Sequence, residues 1–553
     1  MMSRATLIVK NGRVMTMDPR FPSAEAVAVQ GERIIAIGET AAILKLAGPG
    51  CRVIDARGAT VLPGLIESHL HLLMGGNELV HLQLLETHGP VALRDALLDY
   101  AATNPHEKVL MGQGCDYVIY DRGLTRHDLD AILSDRPVLL TAADHHTAWA
   151  NTCALDMAGL LHGKTLSAGN EIVMADDGMA TGELREFEAF APILALTGQA
   201  RLAAGIATGE DPEPTPTHAQ MLEDLEPMAR GLSYCAQYGF TSLVNMDGNR
   251  YTLLLLAELR RQGRLTARVR VPFHYRPHRD PADLAEASAL SQEFNDNWLS
   301  SGFVKLFMDG VVDSETAVML DDYPASPGWR GAPLHSAERF SEVAVEADRR
   351  GLQIAVHAIG DGAVRRVLDG YEAARAANGA RDARHRIEHI ELINRADIPR
   401  LEEMGVVASV QPVHAPGAMD FPLMPTLDKI HRHRWRDAYL CRDLAQAGVH
   451  VTLASDWPVT DINPFRGIQA AMTRPTYDGA GDQRLSLHDA LAGYTSGGAY
   501  AEHTDDQKGM LRQGYLGDLV ILSGDIEATP VEEISAMTAA YTICGGRVVW
   551  EAS

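Results

Sequence analysis

The sequence predicts an α/β fold: a (β/α)8 barrel of the TIM type, accompanied by a small β-sheet unit drawn from both chain ends. Two observations carry this. Eight short apolar segments alternate with helix-like segments through the middle of the chain, and short alternating strands separated by turn residues sit at both ends.

At the N-terminus, TLIVKNGRVMTM, AEAVAVQGERIIAIG and CRVIDARG alternate apolar and polar residues around Asn11-Gly12 and Gly31-Glu32, which are hairpin signals. The C-terminal segments GDLVILSG and AAYTICGGRVVWEA, the latter with Gly545-Gly546 at its turn, resemble them. Both ends read as pieces of one small sheet unit; two separate terminal hairpins would give the same pattern.

The eight barrel segments are VLPGLIESHLHL, GFTSLVNMDG at Gly239, ARVRVPFHYRP at Ala267, GFVKLFMDG at Gly302, LQIAVHAIG at Leu352, RHRIEHIEL at Arg384, GVVASVQPVH at Gly405 and VHVTLASDWP at Val449. Helix-like runs such as FSEVAVEADRR, DGAVRRVLDGYEAARAA and RADIPRLEEM lie between them. Chemistry in such barrels sits at the carboxyl ends of the strands. There the sequence carries His71, Asp247, Lys305, His357, His389, His414 and Asp456.

One gap, Leu72 to Tyr238, is too long for a connection. It holds its own strand-like pieces, KVLMGQGCDYVIY and RPVLLTAADHHTAWA, and a long acidic helical run, HAQMLEDLEPMARGLSYCAQ. Its first part reads as a subdomain inserted over the barrel mouth, and ATGEDPEPTPTH as an exposed linker or lid. The expected division is therefore 1–64 and 505–553 for the sheet unit, and 65–504 for the barrel with an insertion at about 75–235.

Composition limits the partners. The 553 residues are 46% hydrophobic, enough for a large core, and 73 acidic against 49 basic residues give a formal charge of -24. That disfavours nucleic acid or an anionic membrane. The opening MMSRATLIVKNGRVMTMD has no long apolar run or cleavage motif, and no stretch approaches a membrane span. The six cysteines are scattered without paired spacing, as in a reduced, cytoplasmic protein. A homo-oligomer such as a dimer stays open.

The stretch that organises the rest is VLPGLIESHLHLL. His69 and His71 stand two residues apart, so on a strand they share one face and can reach one metal ion. His357 closes LQIAVHAIGD, and His389 closes RHRIEHIEL; each alone reads more readily as a satisfied core histidine than as a ligand. Lys305 lies between Val304 and Leu306 inside a buried strand, where an amine is costly unless paired or chemically altered; Asp309 and Glu315 are the ordinary partners. Asp456 closes VTLASDWP, where an aspartate also serves as a helix cap. All these ordinary readings holding together, at the ends of five strands, is the weaker account.

In combination, PGLIESHLHL, DHHTAWANTCAL, GFVKLFMDG, HAIGDGAV, RHRIEHIELI, QPVH, ASDWPV with the following NPF, and GYLGDLVIL resemble the amidohydrolase superfamily of metal-dependent hydrolases. The resemblance covers nearly the whole chain. It is closest to the large amidohydrolases that include N-substituted formamide deformylase-like proteins. It implies a barrel with a β-sandwich made from both chain ends. It implies further that His69 and His71 bind a first metal, that Lys305 is carboxylated and bridges two metals, and that His357 and His389 bind the second. Asp456 then looks like the aspartate that binds the first metal and shuttles the proton. Glu67 stands where the family often has Asp, and His145 precedes His146 where Gly is common. His146 and His414 are candidates for polarising the substrate carbonyl.

The expected activity is metal-dependent hydrolysis of a linear, non-peptide amide C–N bond of a small-molecule substrate. An ester, lactone or cyclic amide would suit the same residues, and a non-catalytic scaffold of the same fold is the reading from another class. Two zinc ions are the default, with manganese, iron or cobalt as alternatives. Met74, Trp149, Phe307, Met308, Trp457 and APGAMDFPLMP point to an apolar or aromatic substituent on the amide, or to ordinary barrel packing.

Overall fold

The computed structural model describes residues 4–552, except 143–144, 167–169, 200, 203–204, 206–207, 420, 422 and 425. The motif DHHTAWANTCAL and the segments ATGEDPEPTPTH and APGAMDFPLMP each have residues outside the described set. The chain forms two compact units, one of Met1–His71 with Leu232–Ser553 and one of Leu72–Gly231.

In the larger unit the central strands form two parallel sheets. The first runs, in spatial order, Leu299–Ser300, Arg268–Arg270, Phe240–Asn245 and Leu65–Leu70. The second runs Phe273–His274, Phe303–Phe307, Gln353–Ala358, Arg386–His389, Val407–Val410 and His450–Leu453. The segment ARVRVPFHYRP, read above as one strand, is thus two strands in two sheets. Pro272 lies between them, and proline cannot donate to a ladder. Beyond the break the same two stretches of chain pair again, His274 opposite Lys305. At the other edges a parallel bridge joins Leu70 to Trp457, flanked by bonds from Asp456 N to His69 O (3.0 Å) and from His71 N to Trp457 O (2.8 Å).

The strands are buried on both faces, as parallel strands covered by crossovers must be. The crossover helices include Arg250–Arg261, Ala337–Arg349 and Asp361–Asn378, each with a buried apolar stripe. Ser336 caps the second through its side chain on Arg339 N. Gly64 lets the first strand lie against its neighbour, because a Cβ there would fall 2.1 Å from Thr241 Oγ1.

The chain ends share a six-stranded mixed sheet. In spatial order it runs Arg547–Glu551, Ala539–Cys544, Leu519–Leu522, Thr60–Pro63, Arg13–Met15 and Ser23–Ala24, the two ends meeting where Leu519–Leu522 pairs with Thr60–Pro63. Arg33–Gly38, Ala26–Gln30, Ala5–Lys10 and Ala47–Asp55 make a four-stranded sheet, and Leu7, Val9, Val61, Leu519 and Ile543 belong to one core. The Gly31-Glu32 and Gly545-Gly546 turns form hairpins. Asn11-Gly12 does not: the strands on its two sides go to different sheets. Its turn chemistry is sound, with Asn11 at φ 52°, but pairing with Ala26–Gln30 and Ala47–Asp55 overrides the local signal.

The smaller unit has a six-stranded sheet in which Leu110–Cys115 pairs in parallel with Val138–Ala142, which pairs antiparallel with Thr147–Ala150. HAQMLEDLEPMARGLSYCAQ is helical over His218–Gln237. No helix among the described residues is long and apolar enough to cross a membrane. All six cysteines are free.

Candidate metal centre

The polar residues singled out above lie at or just beyond the carboxyl ends of the parallel strands. The ring of His69 is held from behind: Nδ1 is 2.7 Å from Glu388 Oε2, and Nε2 lies 3.3 Å from Asp456 Oδ1. His71 repeats the arrangement, with Nδ1 2.7 Å from Asp247 Oδ2 and Nε2 3.5 Å from the same Asp456 oxygen. A carboxylate on Nδ1 fixes a proton there and turns Nε2 toward Asp456, as the nitrogen that a cation would take. Asp456 Oδ1 is buried and makes no hydrogen bond. An orphaned carboxylate oxygen between two oriented imidazole nitrogens costs free energy as it stands and suits a cation.

Two clusters of possible ligand atoms result, His69, His71 and Asp456, and His389, His414 and Asp456, each with all its atoms within 4.8 Å of one another. They share Asp456. Gln411 Oε1 holds His389 Nδ1 at 3.0 Å, and the His389 and His414 rings are stacked, 6.2 Å between centroids. His357 packs edge-on against His389 at 4.4 Å. Its Nε2 is 3.2 Å from the Gly310 carbonyl, and it is not a member of either cluster.

Backbone strain collects at this point. Asp456 adopts φ 61° and His389 φ 78°, left-handed values that non-glycine residues avoid. Asp456 caps no helix, since Asn463 caps the next one, Pro464–Thr473.

Lys305 is fully buried, its Nζ has no hydrogen-bond partner, and it lies 4.3 Å from the Phe307 ring centroid. Neither ordinary partner reaches it. Asp309 accepts backbone N–H groups of Val318, Ile359 and Gly360, and Glu315 pairs with Lys429 at 2.8 Å. Burial pushes the Lys305 amine down to about 8. Burial also takes His69 down to about 4. For His71 burial pulls the same way, but the carboxylates of Asp247 and Asp456 outweigh it and raise the imidazole to about 9.

Two residues that sequence reasoning passed over, Glu388 and Arg386, and one it named without a role, Glu67, hold the centre together. Glu388 is clamped by Arg386, whose Nε donates to Oε1 at 2.8 Å while Nη2 donates to Ser68 O and Ser409 Oγ. Both side chains are fully buried. Glu67, which stands where the family often has Asp, accepts from His69 N (3.1 Å), Ser455 N (3.0 Å) and Ser455 Oγ (3.0 Å). It ties the His69 strand to the loop that carries Asp456. The available signal was charge inside apolar runs, IESHL and RIEHI, because buried charges need partners.

His146 belongs to the smaller unit, where its Nδ1 lies 3.1 Å from the Glu186 carboxylate. Met74 and Trp149 also belong to that unit. Trp149 is a core residue there, 5.2 Å from the Tyr117 ring.

Comparison with known proteins agrees with this geometry. A family model described as "Amidohydrolase family" matches residues 52–550. The chain is 30% identical to Protein LONG AFTER FAR-RED 3 of Arabidopsis thaliana, over 99% of this chain and 92% of that protein. It is 26% identical to an N-substituted formamide deformylase of Arthrobacter pascens, over 99% of this chain and 98% of that protein. The fold matches the crystal structure of an uncharacterized metal-dependent hydrolase from Pyrococcus horikoshii OT3, with a TM-score of 0.73 at 24% identity, covering 95% of this chain and 99% of the other. With the family model matching residues 52–550, almost the full length, the chain belongs to the amidohydrolase family.

Proposed function

We propose that the protein is a metal-dependent hydrolase that cleaves a linear, non-peptide amide C–N bond, releasing an amine and a carboxylic acid. The observation that carries this is the convergence of His69 Nε2 and His71 Nε2 on the unpartnered Asp456 Oδ1. The family match and the likeness to a metal-dependent hydrolase support it, and the deformylase relative supports the C–N bond.

The donor set fits divalent cations: imidazoles and a carboxylate, oriented by Glu388, Asp247 and Gln411. In this reading His69, His71 and Asp456 would hold one ion and His357 and His389 a second, and Lys305, once carboxylated, would supply an anionic oxygen ligand to them. His414, which clusters with His389 and Asp456, stands as a further ligand or carbonyl-orienting group. Zinc is the first choice of metal. Bound divalent ions supply Lewis acidity and make water acidic enough to lose a proton near neutral pH.

The chain's own residues do the rest. Lys305, with a pKa near 8, has a free-amine fraction at neutral pH, the form that carbon dioxide modifies. The Asp456 carboxylate accepts the proton of the attacking water and returns it to the leaving nitrogen. His414, buried with Nε2 unpartnered, donates to the carbonyl oxygen, and His146 is the second candidate for that role. Glu67 fixes the Asp456 loop against the His69 strand. The parallel strands of the larger unit, read as one (β/α)8 barrel over 65–504, and the end sheets, read as a β-sandwich, complete the proposed architecture, with an insertion at about 75–235.

The test is a screen of N-formyl and N-acyl amines with purified, metal-assayed protein, before and after prolonged chelation. Turnover that disappears with the metal and returns on adding it supports the reading. Full activity in protein shown by elemental analysis to be metal-free overturns it.

A further inference from the structure

His274 has no part in the reading above. It ends the strand Phe273–His274, opposite Lys305, so in a parallel pair the two side chains rise on the same face. It is 2% exposed, and neither ring nitrogen has a hydrogen-bond partner. A buried imidazole with both nitrogens unmet is costly unless something else meets them. Its ring lies 5.6 Å from the Phe307 ring. Phe307 is half-buried and leads on to the candidate centre, with His357 at 5.0 Å and His389 at 4.4 Å beyond that.

The same phenyl ring gathers other basic groups. The Arg276 guanidinium lies 5.5 Å from its centroid and Lys305 Nζ 4.3 Å from it. Lys305 loses its positive charge in the carboxylated form proposed above, so in a chain of net charge -24 it is Arg276 that brings a cation to this ring. The two unmet ring nitrogens of His274 can meet a ligand, one donating and one accepting in the neutral ring. A guanidinium beside such a donor suits a planar, two-oxygen anion, and the phenyl face suits the carbon skeleton that carries it.

We infer that His274, Arg276 and Phe307 form a recognition wall for a carboxylate on the substrate, so that the preferred amides are acids, such as N-acyl amino acids or half-amides of diacids. This rests on the amide-hydrolase reading for the reaction, but the binding of the anion can be tested without it.

Two matched pairs of probes isolate the carboxylate: N-formylphenylglycine against N-formylbenzylamine, and N-benzylsuccinamate against N-benzylbutanamide. The metal-loaded wild type, Arg276→Met and His274→Phe are compared by kcat/KM and by calorimetric Kd. The wild type should favour the acid in at least one pair, and each variant should shrink that preference about 10- to 100-fold, the value of hydrogen bonds to a charged group. Equal treatment of acid and neutral probe by the wild type overturns the inference, as does a preference that survives in both variants. If no amide is hydrolysed, the reaction reading fails, and the Kd values still decide. Acid-selective binding lost in the variants upholds the wall, whereas absent or unselective binding refutes it. The wild-type arm needs no variant to fold.

Discussion

Glu388 Oε2 lies 2.7 Å from His69 Nδ1, with both side chains buried and Arg386 clamped to the same carboxylate. This contact decides which nitrogen of His69 faces Asp456. Glu388→Gln keeps the size but removes the charge that fixes the tautomer, and it leaves Arg386 buried without its counter-ion. Metal affinity, measured by competition with a chelator, should fall about 10- to 100-fold. Unchanged affinity in a folded variant would mean that the strand alone orients His69.

Lys305 can be separated from its neighbours chemically. Lys305→Ala should lose metal and activity together, and small carboxylates in the buffer should restore part of both by entering the vacated space. Because the amine has no partner in the fold, the variant should lose little stability beyond that of a filled core site. A density map showing an unmodified Lys305 in a salt bridge, with metals bound elsewhere, would refute the carboxylation.

The strand order and the organising histidines were legible because hydrophobic periodicity reports strands, and because HLH in an apolar run has few uses. The break at Pro272 was visible as a proline within a strand pattern. The failed hairpin at Asn11-Gly12 was not visible, since which sheet a strand joins depends on distant chain. The clamps were least legible. Glu388 touches His69 across 319 positions, and Ser455 touches Glu67 across 388. Neither spacing forms a local motif, so only the buried charge hinted at a partner. His274 lay in a segment already read as a strand, and only its unmet nitrogens in the fold draw notice.

Asp518, in the GYLGDLVIL motif, offers a stability test away from the centre. It accepts from Arg268 Nε at 2.8 Å and Nη2 at 3.0 Å, and from Gly545 N at 2.7 Å. Arg268 also lies 4.6 Å from the Trp298 ring. Asp518→Ala strands a buried guanidinium, so stability should fall by about 3–5 kcal/mol. Asp518→Leu combined with Arg268→Met should recover much of it. Denaturant midpoints for the three variants check this, and a single variant as stable as wild type would show the pair to be solvated.

His71 sets a pH dependence. With Asp247 and Asp456 beside it the metal-free imidazole titrates at about 9, so at neutral pH a proton occupies the ligand. Metal must displace that proton. Affinity should therefore rise with pH up to about 9, by up to tenfold per unit, and flatten above. Asp247→Asn lowers the His71 pKa and should flatten the profile at lower pH. Metal titrations at several pH values give the slope, and a profile flat from pH 6 to 9 would contradict the assignment.

Asp456 separates chemistry from binding. Its carboxylate sits at left-handed φ, with Oδ1 facing two imidazoles and bonded to none. The fold does not use that oxygen: the adjoining loop is held by Glu67 and by the Asp456 N to His69 O bond. Asn keeps the shape and one oxygen for a cation but cannot take a proton from water. Asp456→Asn should thus fold normally and keep most of its metal, while kcat falls about 10²- to 10⁴-fold, the range for a general acid–base group. KM should move little if affinity rests on groups that touch the rest of the substrate, such as the His274–Arg276 wall. Normal turnover together with a lower melting temperature would make Asp456 a structural residue, and the proton would have to be taken elsewhere.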